Sequence, residues 1–406
     1  MISDVLSPDV KNNTISRIEL NYENGEIKNV HYGDILVKFD SIVDANKNDI
    51  PLISKGTTVE FKNQLLQDGD IIFADTAEDE SVGKAIEIVN TQRISIVSGL
   101  HTIVYRPKIK FSPFFLGYCF NTNIYRQQLL PLMQGIKVLS LSRSNLSKTL
   151  FRFPVSLDEQ AAIGNFFCVL DDTISLKKQQ LDKTVNIKNT MLDKMFPKKG
   201  ANVPEIRFEG FSKPWLVEKL GQTMDITSVK RIHQSDWTDN GIRFIRARDI
   251  VAAYNNEEVT DFLYISQEKY NEYSLLSGKV KKGNILVTGV GSIGVPMLIQ
   301  DDRPIYFKDG NVIWFKNDYF DGDFLFYSFT GNIIQNYIRD VAGVGTVGTY
   351  TIDSGKKTPI YFPSDKQEQA AIGAFFRNLD NLIEAQRDEL AKLQNIKKAC
   401  LSKMFV

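Results

Sequence analysis

Apolar residues recur at steps of four and three along two long stretches of the chain, which is the spacing of a helical a/d seam. Pro154 precedes the first stretch and Pro363 precedes the second. The spacing predicts one long helix in each stretch, of about 40 residues and roughly 60 Å at 1.5 Å per residue. The seam positions are Ile163, Phe167, Leu170, Ile174 and Leu181 in the first helix and Ile372, Phe376, Leu379, Ile383 and Leu390 in the second.

Both predicted helices carry the same start signal. Ser156 with Glu159 fits a capping box, in which each side chain bonds the other residue's backbone N–H, and Asp365 with Glu368 repeats the spacing. Polar residues interrupt the seams, and such residues fix the register of paired helices at some cost in stability. The interruptions are Lys177, Lys188, Gln386 and Lys397.

The two stretches are copies of one another. "EQAAIGNFFCVLD" at 159–171 returns as "EQAAIGAFFRNLD" at 368–380, a constant offset of 209 residues, and the ungapped match runs from Pro154–Phe196 to Pro363–Phe405. A gapless match of this length indicates duplication. Two helices of equal length and pattern are suited to pair as a coiled coil. The alternative is that each helix only supplies core to the domain beside it.

The regions between the helices are predicted to be mixed α/β domains. Short β-type runs such as "DIIFAD" at 70–75, "NILVTG" at 284–289 and "NVIWFK" at 311–316 are bounded by Gly, Pro, Asp and Asn. They do not alternate regularly with helical runs, so a doubly wound parallel sheet is not expected. "FLGYCFNTN" at 115–123 matches "FLFYSFTGN" at 324–332 at the same offset. We therefore predict an internal repeat with domain 1–153, helix 154–200, domain 201–362 and helix 363–406.

The amino-acid composition excludes only a few classes of protein. The 406 residues include 49 basic and 49 acidic side chains, so bulk charge neither supports nor excludes a polyanionic partner. Three cysteines are too few and too scattered for a disulfide framework. The first residues have no signal-peptide pattern, and no apolar run approaches the roughly 18 residues of a membrane span. A cytoplasmic location is the simplest expectation.

Several motifs resemble catalytic or binding signatures without the sequence context that these need. "GVGSIG" at 289–294 and "GVGTVG" at 343–348 both fit GxGxxG, but no helix is predicted after either, so we interpret them as glycine turns. The three histidines lack metal-ligand spacing, and no HExxH, GxSxG or Walker A motif is present. A Ser-His-Asp site remains open. The sequence predicts no catalytic residue and no metal site.

Basic and amide side chains cluster in both α/β regions and are candidate DNA contacts, because Arg reads guanine, Asn reads adenine and Lys holds phosphate. "FIRARDI" places Arg246 and Arg248 on one face of an expected strand. The alternative for each residue is a solvated surface or an ion pair. The candidates are Lys230, Arg231, His233, Arg243, Arg246 and Arg248 in the second region and His101, Arg106, Lys137, Arg143 and Asn145 in the first.

The whole pattern resembles the specificity subunits of type I restriction-modification enzymes. The residues that carry the resemblance are the repeated helical segment from Leu157 to Pro197, its second copy, and the lead-in "VPEIRFEGFSKPWLVEKLG" at 203–221. The resemblance implies two α/β target recognition domains, each reading one half of a split DNA site. It also implies that the long helices pack as an antiparallel coiled coil and set the distance between the half-sites.

The same resemblance implies the partners. Double-stranded DNA is the ligand, two methyltransferase (modification) subunits dock on the helices, and restriction/translocase subunits complete the complex. S-adenosylmethionine, ATP and Mg are expected on the partner subunits and none on this chain, which is expected to catalyse nothing.

Two other classes of function stay open at this point, a protein-interaction scaffold and a nucleotide-dependent enzyme that uses a glycine motif. One feature departs from the family pattern. The second domain has the lead-in "PEIRFEGF…W", whereas the first begins "MISDVLSPDVKNN". We expect either a truncated start or a shorter first domain.

Overall fold

The computed structural model describes residues 1–343 and 348–405, which form two compact units. Unit 1 consists of Met1–Gln179 with Asp388–Val406, and unit 2 of Gln180–Arg387. The α-helices are α1 (Ile2–Val5), α2 (Tyr32–Val37), α3 (Phe115–Cys119), α4 (Asn123–Leu129), α5 (Arg143–Ser147), α6 (Leu157–Lys194), α7 (Leu220–Thr223), α8 (Ala247–Asn255), α9 (Gln267–Ser277), α10 (Gly322–Thr330), α11 (Asn332–Ala342), α12 (Ile352–Lys357) and α13 (Lys366–Met404).

The strands of unit 1 are β1 (Leu6–Ser7), β2 (Leu20–Asn21), β3 (Lys28–Val30), β4 (Ile42–Asp44), β5 (Leu52–Ile53), β6 (Ile71–Ala74), β7 (Thr76–Ala77), β8 (Ala85–Val89), β9 (Ile96–Ser98), β10 (Thr102–Pro107) and β11 (Leu139–Ser140). Those of unit 2 are β12 (Leu216–Lys219), β13 (Asp225–Thr227), β14 (Trp237–Thr238), β15 (Ile242–Ile245), β16 (Leu263–Ile265), β17 (Ile285–Thr288), β18 (Pro296–Leu298), β19 (Ile305–Phe307), β20 (Val312–Lys316) and β21 (Pro359–Phe362). Short 3-10 helices lie at Arg17–Glu19, Lys62–Gln64, Leu130–Leu132 and Gln234–Asp236.

The sheets of the two units share most of their topology, except that β4, which pairs parallel with β8 in unit 1, has no counterpart in unit 2. In unit 1 the strand orders are β1-β10-β6-β8-β4 and β2-β5-β3-β9, and in unit 2 they are β13-β20-β17-β18 and β14-β16-β15-β19. In each second sheet the last two strands are parallel, β3 with β9 and β15 with β19. The sequence repeat therefore extends through the α/β regions, and the mixed α/β prediction is confirmed.

The central strand of each unit is buried on both faces, which explains its continuous apolar sequence. In β6, Ile71 and Phe73 join the cluster that contains α3, whereas Ile72 and Ala74 join the cluster that contains α2. Successive side chains of a strand point to opposite faces, so one strand serves two cores. In β17, Ile285 and Val287 likewise face one cluster and Leu286 the other.

The two long helices pack against each other within each unit, and in each unit they run antiparallel. In unit 1, Asp171 bonds the Nζ of Lys397 at 2.5 Å and Lys177 bonds Glu389 at 2.9 Å. In unit 2, Lys188 bonds Asp380 at 2.5 Å. Three of the four polar interruptions of the seams therefore make ion pairs between the helices. Such pairs need one register, as expected of polar residues in a seam.

Aromatic contacts place the start of one helix beside the end of the other. The rings of Phe167 and Phe405 lie 5.8 Å apart in unit 1, and those of Phe196 and Phe376 lie 6.0 Å apart in unit 2. The predicted seam residues divide by burial. Ile163, Phe167, Ile372, Phe376 and Ile383 are buried, and Leu170, Ile174, Leu181, Leu379 and Leu390 are half-buried.

A glycine in each copy of the repeat lets the long helix approach its domain closely. A Cβ on Gly164 would lie 2.8 Å from the carbonyl oxygen of Pro113, and one on Gly373 would lie 2.9 Å from the backbone nitrogen of Phe324. Only glycine fits such contacts without a shift of the backbone. The "AAIG" of both copies therefore marks where each helix docks on its own domain.

Glu87, in the middle of β8, is a buried carboxylate in the core of unit 1. It accepts hydrogen bonds from the backbone N–H groups of Phe114 at 2.7 Å and Gly117 at 2.9 Å. Burial nevertheless raises the pKa of Glu87 to about 7, because the protein interior disfavours the charged form. The folded chain therefore holds a proton on this group that the unfolded chain releases at lower pH.

We expect unit 1 to lose stability as the pH rises from 4.5 to about 7. In this range the folded chain keeps the proton of Glu87 while the unfolded chain releases it, so the contribution of the raised pKa of Glu87 is full below pH 4.5 and is lost by about pH 7. The expected loss is about 3 kcal/mol at 1.36 kcal/mol per pKa unit. Hydrogen exchange of the amides of β6 and β8 at several pH values measures it. Glu87→Gln should remove this dependence, and Glu78→Gln, at an exposed site, should not. An unchanged profile in Glu87→Gln would contradict the assignment.

Candidate nucleic-acid interface

In each unit, polar side chains collect where the parallel strand pair ends. The carboxyl ends of parallel strands meet at one edge of a sheet. In unit 2 this edge follows β15 and β19, where the N–H of Lys308 donates to the carbonyl of Ile245 at 2.8 Å. We call the residues Arg231, Arg246, Arg248 and Lys308 the unit 2 basic edge.

Arg246 is fixed by two carboxylates. Its guanidinium donates to Asp249 at 2.9 and 3.1 Å and to the carbonyl oxygen of Asp261 at 2.7 Å, and its side chain is mostly buried. Asp249 also accepts the backbone N–H of Arg246 at 2.8 Å and so caps α8. Arg246 thus holds the start of α8 against the loop that carries Asp261.

Arg248 lies on the same edge but is much more open. Its side chain is 57% exposed and pairs with Asp261, whose side chain is exposed as well. Exposed ion pairs contribute only about 0–1 kcal/mol, so a DNA phosphate or base can replace this partner at little cost. The expectation that Arg246 and Arg248 lie on one strand is wrong. The strand ends at Ile245 because Asp249 caps a helix that begins at Ala247.

The remaining candidates of unit 2 are Arg231, which belongs to the unit 2 basic edge, and Lys230, His233 and Arg243. Arg231 donates to Asp309 at 2.7 Å, just after β19. The Nζ of Lys230 lies 4.2 Å from the ring centroid of Tyr273, and the side chain of His233 is exposed. Arg243 stacks at 4.0 Å on Phe262, and burial lowers its pKa.

In unit 1 the corresponding edge follows β3 and β9 and carries histidines. His101 lies 3.4 Å from Asp75, and its ring meets that of Tyr32 edge-on at 5.3 Å. The rings of Tyr32 and His31 lie 4.6 Å apart. Burial lowers the pKa of His31, which favours its neutral form. His31 was missed from sequence, although "HYGDIL" at 31–36 aligns with "RARDIV" at 246–251 and puts His31 where Arg246 stands.

The other candidates of unit 1 lie elsewhere. Arg106 is occupied within the fold, where it donates to buried Asp70 at 2.8 and 2.6 Å and to the carbonyl of Leu65 at 3.0 Å. Lys137 and Arg143 are exposed, and half-buried Asn145 lies in α5. A role in DNA binding stays a prediction for all eleven candidates.

The glycine motifs differ in what the structure shows of them. "GVGSIG" connects β17 to β18, with Gly291 and Gly294 at φ of +71° and +81°, and is followed by a strand, as the sequence predicted. "GVGTVG" includes residues 344–347, which lie outside the described residues.

Within residues 1–343 and 348–405, no group of three or more His, Cys, Asp or Glu side chains could hold a metal ion. Across the same residues, no helix has the length and apolar character that a membrane crossing requires.

Two units that share most of their sheet topology, each joined to parts of two duplicated helices, define a duplicated α/β scaffold. The chain belongs to the family of the type I restriction modification DNA specificity domain, which matches residues 18–186 and 212–395. The sequence resemblance to specificity subunits is thereby confirmed.

Individual relatives agree with this assignment. The type I restriction enzyme MjaVIII specificity subunit of Methanocaldococcus jannaschii is 25% identical over 264 residues, which are 61% of this chain and 59% of that protein. The chain thus aligns with less than two thirds of that relative. The crystal structure of the S subunit of a type I restriction-modification system from M. genitalium superposes with a TM-score of 0.61 at 13% identity, covering 100% of this chain and 95% of that one. A chain from a second solved structure of a type I restriction-modification system superposes with a TM-score of 0.53 at 18% identity, covering 99% of this chain and 95% of that one. These two likenesses concern the fold alone.

Proposed function

We propose that this chain is the DNA sequence-recognition subunit of a type I restriction-modification complex. Each α/β domain reads one half of a bipartite site, and the long helices hold the two domains and dock two modification subunits. The proposed division is 1–153 and 201–362 for the recognition domains and 154–200 and 363–406 for the helices. The observation that supports the proposal best is that the two units share most of their sheet topology but carry different side chains at the same sheet edge, histidines in unit 1 and arginines in unit 2.

The physical advantage of this plan is effective concentration. Once one domain holds its half-site, the second binds as an intramolecular event. The net charge of the chain is near zero, which is consistent with partner subunits that supply some of the positive charges that neutralise the DNA phosphates. In this proposal the chain acts in the cytoplasm and catalyses nothing. S-adenosylmethionine, ATP and Mg belong to the modification and restriction/translocase subunits.

Binding of the purified complex with modification subunits to duplex DNA tests the proposal. We expect a preference for one bipartite duplex and an affinity that falls steeply with salt, because phosphate contacts release counterions. The chain alone should bind weakly, and its affinity should still fall with salt but less steeply, because it makes fewer phosphate contacts. No preference among bipartite duplexes, or an affinity indifferent to salt, would instead favour a protein-interaction scaffold.

Arg248→Ala should weaken or relax recognition of the half-site read by unit 2 by about 1–3 kcal/mol, the range for a good base contact. The other half-site should be unaffected. Arg377→Ala is the control, since Arg377 is 55% exposed and, like Arg248, forms an ion pair with an aspartate, here Asp323. Affinities of the complex for duplexes with single changes in either half-site measure the effect. An equal loss on every sequence would assign Arg248 to phosphate.

A further inference from the structure

A cavity of about 600 Å³ lies in unit 1, lined by residues of α4, α6 and α13 and of the segments beside them. Four of the lining side chains are cationic and two are anionic, so the lining has an excess of two positive charges. We call the space that these six side chains line the unit 1 basic cavity. The cations are Arg126, Lys178, Lys397 and Lys398, and the anions are Asp40 and Asp171.

One cation and one anion of this lining already neutralise each other. Asp171 bonds the Nζ of Lys397 at 2.5 Å and accepts the hydroxyl of Tyr118 at 2.9 Å. Unit 2 repeats the ion pair as Asp380 with Lys188, also at 2.5 Å. The pair is therefore a structural feature common to both units, and the excess of positive charge comes from the rest of the lining.

Arg126 is the most deeply placed of the other cations. Its Nη2 donates to the carbonyl oxygens of Glu80 and Val82, and its buried Nη1 has no hydrogen-bond partner among the described residues. Burial lowers the pKa of Arg126, because its surroundings do not fully stabilise the positive charge. The guanidinium therefore brings a charge to the cavity that no carboxylate in contact with it compensates.

The three remaining charges of the lining lie at the surface. Lys178, Lys398 and Asp40 are exposed, and none of them forms an ion pair within residues 1–343 and 348–405. Exposed lysines are common on helices. Their meaning at this cavity therefore depends on what stands at the equivalent positions of unit 2.

Unit 2 has a different charge at four of the equivalent positions, and every difference makes unit 1 more positive. Two cations of unit 1 stand where unit 2 has amides, and two serines stand where unit 2 has carboxylates. The four positions together differ by four units of charge. The pairs, at the offset of 209 residues, are Arg126 and Gln335, Lys398 and Asn189, Ser175 and Glu384, and Ser402 and Asp193.

The polar residues at two of these positions are satisfied within unit 2. The amide of Gln335 donates to the carbonyl oxygens of Gly294 at 3.0 Å and Phe329 at 2.6 Å. Asn332 donates to Asp193 at 3.0 Å. In unit 1 the same places hold a guanidinium with an unpartnered N–H and a serine. The two copies therefore differ in one respect, since only unit 1 has positive charge that its own residues leave uncompensated here.

We propose that the unit 1 basic cavity binds a phosphate group. Cations reach the cavity from three separate elements, Arg126 on α4, Lys178 on α6 and Lys398 on α13, and such groups form charge-assisted hydrogen bonds to phosphate oxygens. The excess of two positive charges matches a phosphate monoester, which carries about −1.5 to −2 at pH 7. The group belongs either to a small phosphorylated compound or to the backbone of DNA.

This inference goes beyond the proposed function. The cavity lies on the helices and α4, whereas sequence reading is assigned to the edge that follows the parallel strands. Failure of phosphate binding would therefore leave recognition of the two half-sites untouched. Loss of sequence preference would conversely leave phosphate binding at the cavity untouched.

Calorimetric titration of the full chain with inorganic phosphate at pH 8 and low salt tests the proposal. We expect saturable binding whose affinity falls at least tenfold in Lys398→Asn and in Ser175→Glu, which each introduce the residue of unit 2. Both positions are exposed, so these variants are expected to fold, which circular dichroism checks. Lys392→Asn is the matched control, because Lys392 is an exposed lysine of α13 outside the lining, and it should bind phosphate as the natural chain does.

Succinate separates phosphate chemistry from charge alone. It carries about the same charge as phosphate at pH 8 but spreads it over two carboxylates, so it should bind at least tenfold more weakly. Equal binding of succinate and phosphate would overturn the proposal. So would the absence of saturable phosphate binding, or binding that is indifferent to both Lys398→Asn and Ser175→Glu.

The affinity of the full chain for a DNA duplex at several salt concentrations identifies the source of the phosphate. If the DNA backbone enters the cavity, the slope of log K against log salt should be shallower by about 0.9 in Lys398→Asn than in Lys392→Asn, the value for one phosphate contact. If a small phosphorylated compound is the ligand, the two slopes should coincide while the difference in phosphate binding remains.

Discussion

Glu368→Ala is expected to destabilise unit 2 by about 3–5 kcal/mol, the usual cost of breaking a buried ion pair. The substitution would leave the guanidinium of Arg207 and the indole N–H of Trp215 without their shared acceptor. It would also release the lead-in from the start of α13. Hydrogen exchange of the buried amides of β17 measures the stability of unit 2, and that of the buried amides of β6 measures the stability of unit 1.

The repeat supplies the control for this experiment. Glu159→Ala changes the same residue type at the equivalent position, but Glu159 is exposed and has no ion-pair partner among the described residues. Surface substitutions of this kind stay within about 0.5 kcal/mol. Equal losses in the two variants, or a negligible loss in Glu368→Ala, would show that the buried carboxylate does not anchor the lead-in.

Removing seven residues from the middle of both long helices, 177–183 and 385–391, is expected to move the permitted gap between half-sites. Seven residues of helix are about 10 Å long. At 3.4 Å per base pair the gap should shorten by about three base pairs. Deleting opposed segments keeps the ion pairs of Asp171 with Lys397 and of Lys188 with Asp380 available on either side.

This effect is measured by the binding of a complex that contains the deletion variant to a series of duplexes that differ only in gap length. The control keeps the helix length and replaces the exposed residues of the same segments with alanine, which should leave the permitted gap unchanged. An unaltered gap in the deletion variant would show that the helices do not set the spacing, even if DNA binding itself persists.

The sequence predicted the long helices well because their signals are local. Pro154 and Pro363 precede helices that begin at Leu157 and Lys366, and the ungapped repeat continues past their ends at Lys194 and Met404. The polar interruptions were also informative, since Lys177, Lys188 and Lys397 make the ion pairs between helices. The duplication strengthened the prediction of both helices, because the same start signal and the same apolar spacing occur in each copy of the repeat.

The candidate site was predicted less well because it depends on contacts between distant residues. Arg106 finds Asp70, and Arg246 finds Asp261, and nothing in the local sequence marks either pair. The misplaced strand at Arg246 and Arg248 is a different case. Asp249, three residues after Arg246, is a helix-start signal that competed with the alternating pattern, and the helix forms.

Mapping the methylated bases in DNA from cells that express this chain with the proposed modification subunits tests directly whether the two domains read a bipartite site. We expect methylation within two short half-sites separated by a constant gap of unspecified sequence. Arg248→Ala should change the bases required in one half-site and leave the other half-site and the gap intact. Methylation in a single uninterrupted sequence would show that the two domains do not read separate half-sites, and half-sites with a freely varying gap would show that the helices do not fix their spacing.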